Sequence, residues 1–215
     1  VLIVGSAPLA ATDLARYCAR SDLIICADGG GTSMVNAGLR PSVLIGDMDS
    51  IAAAAHRFLA EAGTTVIKHS PEKDKTDLEL ALDYALAQHP GSITIAGGLG
   101  GERLDHSLGN LLLLALPSLR DLDVRVVDHA AEAFSIWTER QITGQPGEYV
   151  SLLPLTPSVE GVRTSGLRYP LFGERLVQGH TRGVSNELVA PLATISVEAG
   201  CLLAIHQHRP SVRPE

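Results

Sequence analysis

Basic residues and aromatics are both in short supply in this chain. Its 17 lysines and arginines are outnumbered by 24 acids, for a formal charge of −7, and only 4% of the 215 residues are aromatic. An acidic balance of this size argues against a general binder of nucleic acid or of anionic membranes. It leaves room for a small phosphorylated ligand held through a metal. Cysteine is scarce too: Cys18, Cys26 and Cys201 form no close pair with metal-ligand or redox spacing. They read as small core residues in a reducing compartment. No apolar run approaches the roughly 18–20 residues a membrane span needs. The longest, Leu111–Leu116, continues a helical pattern. The chain opens on Val1-Leu2-Ile3-Val4, which reads as a strand and not as a signal peptide. The expectation is a soluble, cytoplasmic protein.

Two kinds of patterning divide the chain. In the first part, strand-like runs alternate with helical stripes. Val1–Val4 is a buried strand ending at Gly5-Ser6, and Val124–Val127 is another ending at Asp128. Ile51, Ala54, Ala55, Phe58, Leu59 and Ala62 recur at helical spacing, as do Leu78, Leu82, Ala85 and Leu86 behind the capping-box pattern Thr76-x-x-Glu79. Leu104, Leu108, Leu111, Leu112 and Ala115 mark a further helix that stops near Pro117. Repeated β-α units of this length predict a doubly wound, mainly parallel sheet. After about residue 130 the runs shorten: Phe134–Trp137, Glu148–Leu153, Val159–Thr164, Leu167–Leu171, Ala193–Val197 and Cys201–His206, separated by Gly, Pro and Thr. They predict a small antiparallel β-sandwich or barrel. The expected division is therefore an α/β domain over 1–130 and a β domain over 131–215, with a proline-rich end beyond Arg209 that frays.

Six aspartates follow the apolar runs of the first half. Leu23–Ala27 leads into Asp28-Gly29-Gly30, and Val43–Gly46 into Asp47-Met48-Asp49-Ser50. Thr65–Ile67 is followed after a short loop by Asp74-Lys75-Thr76-Asp77, and Ser92–Ala96 opens into Gly97-Gly98-Leu99-Gly100-Gly101-Glu102-Arg103-Leu104-Asp105-His106. On parallel strands these acids gather at one sheet edge, the carboxyl edge where open α/β sheets bind ligands. Crowded carboxylates repel unless a cation lies among them, and a hard divalent ion such as Mg²⁺ is the usual choice. Each pair alone also has a plainer reading, as caps for the helices that follow. The glycine-rich turn suits phosphate, since bare N–H groups and a helix N-terminus favour anions. It carries neither a P-loop nor the dinucleotide spacing. Arg103 can fork onto phosphate oxygens, and Asp105 can orient it or hold a metal-bound water; a surface pair is the alternative. Lys73 and Lys75 balance phosphate charge or are solvated cations, His106 reads as a solvated ring, and Trp137 reads as core or interface.

Taken in order, Ala27-Asp28-Gly29-Gly30, Gly46-Asp47-Met48-Asp49-Ser50, Asp74-x-Thr76-Asp77, Arg103-Leu104-Asp105-His106 and Gly183-Val184-Ser185-Asn186-Glu187 resemble the thiamine pyrophosphokinase (thiamine diphosphokinase) family. Ser151–Leu155 and Thr164–Leu171 extend the resemblance over nearly the whole chain. It implies Mg²⁺-dependent transfer of a pyrophosphoryl group from ATP to the hydroxyethyl oxygen of thiamine, with release of AMP. It further implies that Asp47, Asp49 and Asp74 hold Mg²⁺ on the triphosphate, and that Arg103 and Asp105 place and neutralise the transferred group. On chemical grounds a carboxylate, Asp74 or Asp105, is a candidate to accept the alcohol proton, and the sequence does not assign which. Asp28, Gly29 and Gly30, with Thr76, Asp77, Gly98 and Gly100, would line the nucleotide site, and Ser185 and Asn186 would approach the thiamine pyrimidine. A homodimer is implied, the β domain of one subunit completing the site of the other. The chain departs from the pattern at Glu102, which intervenes between the glycine pair and Arg103. Two other readings stand beside it: a pyrophosphokinase for another alcohol such as a hydroxymethyl pterin, and a non-catalytic nucleotide or thiamine sensor.

Overall fold

Short aliphatic runs fold as buried parallel strands when helices return the chain over the sheet, and the first 129 residues do this repeatedly. A computed structural model describes residues 1–208; the proline-rich end lies outside the described residues. The chain divides into two compact units, one of Val1–Leu113 with Leu122–His129, the other of Leu114–Asp121 with the chain from Ala130 onward. Among the described residues no helix is long and apolar enough to cross a membrane.

The first unit runs β1 (Leu2–Val4), α1 (Ala11–Cys18), β2 (Ile24–Ala27), α2 (Gly30–Asn36), β3 (Val43–Gly46), α3 (Ala53–Glu61), β4 (Thr65–Lys68), α4 (Asp77–Ala87), β5 (Ser92–Ala96), α5 (Leu104–Leu112) and β6 (Asp123–Val127). All its strand pairs are parallel, in the order β4-β3-β2-β1-β5-β6. The doubly wound expectation is met, with the order reversing between β1 and β5. β1 and β3 are buried throughout, as a strand covered on both faces must be. β4, at the edge, keeps Thr65 and Lys68 in solvent. Thr76 caps α4, its hydroxyl accepting from the Glu79 amide at 3.2 Å, as the capping pattern predicts. The stripe along α5 behaves differently from expectation: Leu104, Leu108 and Leu112 are exposed, with Leu104 at 81%. Helical α1 and α2 have no counterpart in the periodicity analysis, because each is only seven or eight residues long.

The second unit contains β7 (Ala131–Ile136), β8 (Glu139–Thr143), β9 (Tyr149–Pro154), β10 (Ser158–Ser165), β11 (Phe172–Val177), β12 (Asn186–Glu187), β13 (Leu192–Ser196) and β14 (Leu202–Gln207). Two antiparallel sets form, β12-β9-β14-β7 and β11-β10-β13-β8. Their inward residues share one core: Phe134, Val150, Leu152 and Ala204 from the first set meet Ile142, Val162, Leu176 and Ile195 from the second. Each such fully buried Val, Leu, Ile or Phe side chain contributes roughly 1.5–3 kcal/mol, and alternation along β9 supplies the pattern, with Val150 and Leu152 inside. This is the expected sandwich. The strand expected over Leu167–Leu171 does not form. Only Leu167 makes a bridge, to Leu188, and the segment closes as a turn in which the Leu171 amide donates to the Thr164 hydroxyl at 2.9 Å. Pro170 lacks the amide a central strand needs, and the strand starts at Phe172 instead.

Glycine at position 30 is a steric requirement of the first unit. A Cβ there would stand 2.1 Å from the Val4 carbonyl oxygen, since the start of α2 packs directly on the end of β1. Gly30→Ala is expected to lower stability by about 1–3 kcal/mol through overpacking, readable as a reduced midpoint in urea denaturation. A variant as stable as the parent would show that α2 can move away at no cost.

Candidate active site

Reversal of strand order at β1 and β5 opens a crevice where the two chains leave the sheet in opposite lateral directions. The strand exits are tied together, with the Gly5 amide donating to Ala96 O at 2.8 Å and the Ala7 amide to Gly97 O at 3.0 Å. Approach is close enough that a Cβ on Gly5 would meet Gly97 O at 2.4 Å. Above this junction lies a cavity of about 220 Å³ lined by Gly5, Ser6 and Ala7, by Thr76 and Asp77, and by Gly97, Gly98, Gly100, Gly101, Glu102 and Arg103. Ser107 and Asn110 of α5 close its far side. Gly98 offers its carbonyl to the Asn110 amide at 2.7 Å, and the Gly100 amide donates to the Ser107 hydroxyl at 3.1 Å.

Beside this cavity, whose lining includes Ala27 and Ser50, stand the first acids. Asp28, only 1% exposed, follows β2. Its two oxygens accept from the Ile51 amide at 2.9 Å and the Ser50 amide at 3.2 Å, so it anchors the loop that leaves β3. That loop carries Asp47 and Asp49, with Met48 in the left-handed region at φ 70°. Carboxylate oxygens of Asp28, Asp47 and Asp49 lie within 4.8 Å of one another. The Lys73 ammonium reaches Asp47 and stands 3.2 Å from Asp77, a cation placed between two acids. Burial pushes the Asp28 carboxyl up to about 6, and the neighbouring Asp77 charge adds to the shift. Burial also raises Asp77, whereas the hydrogen bond from Lys73 lowers Asp47. The donor set is all oxygen and short of positive charge, which suits a hard divalent ion.

The sequence-predicted residues do not all converge. Thr76, Asp77, Gly98, Gly100 and Arg103 all line the cavity. Asp47 and Asp49 are grouped with Asp28, while Asp74 is exposed in the loop before α4 and stands outside that trio. Asp105 pairs with Arg103 in a two-pronged contact of 2.9 and 2.6 Å, both side chains being about two-thirds in solvent. This guanidinium holds the Asp105 carboxyl well below the usual range. Gly29 and Gly30 pack against Ser6 and Val4 and are not part of the cavity lining. In the second unit, Ser185 is exposed with φ 58°, and its amide donates to the Ser151 hydroxyl. Asn186 is buried and sews the 169 turn, its oxygen accepting from the Tyr169 amide at 2.9 Å and its amide donating to Tyr169 O at 2.7 Å. Trp137 lies in this unit too, with the Arg120 guanidinium 5.9 Å above its ring. Lining residues missed by the sequence analysis include Ser6, Ala7, Ser107 and Asn110, and also His106, which reads in the sequence as a solvated ring. The first was marked by the Gly5-Ser6 that ends β1, at the position where switch-point ligands sit.

Two family models match the chain: "Thiamin pyrophosphokinase, catalytic domain" over residues 14–126 and "Thiamin pyrophosphokinase, vitamin B1 binding domain" over residues 138–202. The chain is 32% identical over 206 residues to the thiamine pyrophosphokinase of Bacillus subtilis strain 168, covering 95% of this chain and 96% of that protein. Its structure is similar to the crystal structure of the Bacillus subtilis protein, with a TM-score of 0.84 at 31% identity over 97% of this chain and 99% of the other. A thiamin pyrophosphokinase from Geobacillus thermodenitrificans matches with a TM-score of 0.83 at 31% identity and 99% coverage of both chains.

The buried Asp28 carboxyl makes a prediction for the metal-free protein. Unfolded, it ionises near the ordinary 3.8; folded, only at about 6. Between those values the folded state holds the extra proton, so stability falls as pH rises through the window. In chelator-treated melts from roughly pH 4 to 7, Asp28→Asn is expected to flatten this decline. Parallel profiles for parent and variant would mean that Asp28 is solvated well enough to ionise normally.

Proposed function

The chain belongs to the thiamine pyrophosphokinase family, and we propose that it transfers a pyrophosphoryl group from ATP to the hydroxyethyl oxygen of thiamine, yielding thiamine diphosphate and AMP. The observation that carries this reading is the switch-point cavity of a family catalytic domain, flanked by three carboxylates within 4.8 Å of one another. Asp47 and Asp49, with Asp28 beside them, are the residues to hold Mg²⁺; Asp74, expected to join them, stands outside the trio and is left free for proton transfer. Bound there, Mg²⁺ supplies a Lewis acid and a template for the triphosphate.

Attack of a neutral alcohol on phosphorus depends on alignment and charge neutralisation more than on covalent help. Arg103 supplies a planar fork for phosphate oxygens. Its present partner Asp105 is an exposed ion pair, an interaction of little net strength in water, so exchange for a phosphate is easy. Glu102 lines the cavity alongside Arg103 and adds a negative charge that phosphate must face. Lys73 neutralises Asp47 and Asp77 until ligand arrives and is then positioned to balance triphosphate charge. With its proton held off by Arg103, Asp105 is a weak proton acceptor while the pair lasts. Asp74, exposed before α4, is the better candidate for taking the alcohol proton as the bond forms. Gly98 and Gly100 bring the phosphate chain close to the backbone, and Thr76 and Asp77 form the opposite wall.

Thiamine is assigned to the second unit, where Ser185 and Asn186 lie within the matched vitamin B1 binding domain. Ser185 is accessible, and Asn186 acts through the turn it holds, since its amide is already engaged. We read the enzyme as a homodimer. Leu104, Leu108 and Leu112, four apart on α5, expose one apolar stripe that a second copy would cover. Cys18, Cys26 and Cys201 are all free, which supports a cytoplasmic setting.

Incubation of the pure protein with ATP, Mg²⁺ and thiamine is expected to produce AMP in step with thiamine diphosphate. ADP, or turnover on hydroxymethyl pterin in place of thiamine, would overturn the reading, and binding without AMP release would make the protein a sensor. Asp47→Ala and Asp49→Ala are each expected to lower turnover at least about a hundredfold, the several kcal/mol that metal charge stabilisation supplies. Retained activity at saturating Mg²⁺ would remove them from the metal site. Leu108→Glu is expected to shift the mass measured by light scattering from dimer to monomer; an unchanged mass would place the dimer contact elsewhere.

A further inference from the structure

In the second unit, His206 near the end of β14 and His208 just past it are two residues apart, the spacing that puts side chains on one face of extended chain. Glu132 of β7 is the cross-strand partner of His206 in the register. Just beyond the strand, the His208 amide donates to Ala130 O at 2.8 Å, so the ladder holds this backbone in place as well.

The His206 ring is entirely buried. Its Nε2 lies 2.8 Å from Oε2 of Glu148. An ionised carboxylate only accepts, so Nε2 carries the hydrogen and donates it. Nδ1 is buried and makes no hydrogen bond, and Oε1 of Glu132 stands 3.6 Å away. A neutral ring in this tautomer aims a bare lone pair at an anionic oxygen, with water excluded from His206. Either a proton or a metal ion between the two atoms relieves that apposition. Their separation is beyond hydrogen-bond range. It is close to the roughly 3.4 Å between two ligands of one tetrahedral ion whose bonds are about 2.0–2.1 Å. One donor atom each from Glu132, His206 and His208 lies within 4.8 Å of the other two.

We propose that Glu132, His206 and His208 bind one divalent transition ion of the zinc class, with Glu148 as the outer carboxylate that fixes the His206 tautomer. Two imidazoles and a carboxylate favour Zn²⁺ over Mg²⁺, which prefers oxygen alone. Oriented carboxylate–histidine pairs of this sort raise ligand basicity and set which nitrogen faces the metal. His208 is 44% exposed, so its ring can be reached from solvent. The ion would clamp the end of β14 to β7, and this site is independent of the pyrophosphoryl-transfer reading.

The test is calorimetric titration of the metal-stripped full chain with Zn²⁺ under excess Mg²⁺, which keeps the oxygen-only cluster at Asp47 and Asp49 occupied. One Zn²⁺ per chain is expected. Glu148→Gln should weaken it about 10–100-fold, and His208→Ala, at a solvent-facing ring, should weaken it at least as much while leaving the circular dichroism spectrum intact. Asp47→Asn with Asp49→Asn should leave zinc affinity unchanged. No zinc uptake above Mg²⁺, equal affinity in His208→Ala, or loss of zinc in the aspartate double variant would each overturn the site. So would ring-nitrogen NMR showing His206 doubly protonated in the presence of zinc, which would mean that a proton supplies the positive charge.

Discussion

Parallel strands cannot be joined by hairpins; each must be followed by a crossover that carries the chain back to the starting edge. In the first unit that constraint places the residues after β1, β2, β3 and β5 at one edge of one sheet. The acids gather there because each follows a strand exit. The cavity opens there because β1 and β5 separate the two directions of winding. The backbone contact between Gly5 and Gly97 holds this junction closed at its base, and side chains larger than hydrogen would pry it apart.

Electrostatics then decides what the edge can hold. Asp28 is buried and anchored by two amides, so it cannot swing away from Asp47 and Asp49 to relieve repulsion. Lys73 bridges Asp47 and Asp77, and Arg103 occupies Asp105. Both cations are thus engaged with protein acids. The Arg103–Asp105 pair is much the more exposed of the two, and an ion pair in water has little net strength. In the second unit the same rule operates in a dry setting. The buried imidazole of His206 lies between the carboxylates of Glu132 and Glu148.

Strand exits, capping at Thr76 and the change from α/β to short antiparallel strands near residue 130 were legible in the sequence, because each rests on local periodicity or on a two- or three-residue motif. The apolar stripe of α5 was legible as a helix and misleading as core, since periodicity reports which residues share a face and is silent on what covers that face. The segment Leu167–Leu171 looked like a strand by composition but lacks an amide at Pro170, and a turn sewn by Asn186 replaces it. α1 and α2 escaped notice because one or two turns offer too few positions to reveal a period.

The sequence by itself determined the element types, the presence of acids after successive strands and, through an ordered set of motifs, the family. Those properties depend on neighbours within a few residues or on motif order, and both are written along the chain. Tertiary structure decided which acids meet. Asp28 joins Asp47 and Asp49 across two strands, while Asp74 remains in solvent. It also decided that Lys73 reaches from its loop to Asp47, that Gly29 and Gly30 pack against β1 and its exit loop, and that His206 faces Glu132 and Glu148. Such pairings depend on strand order and register, which are set by long-range burial and not by any local pattern.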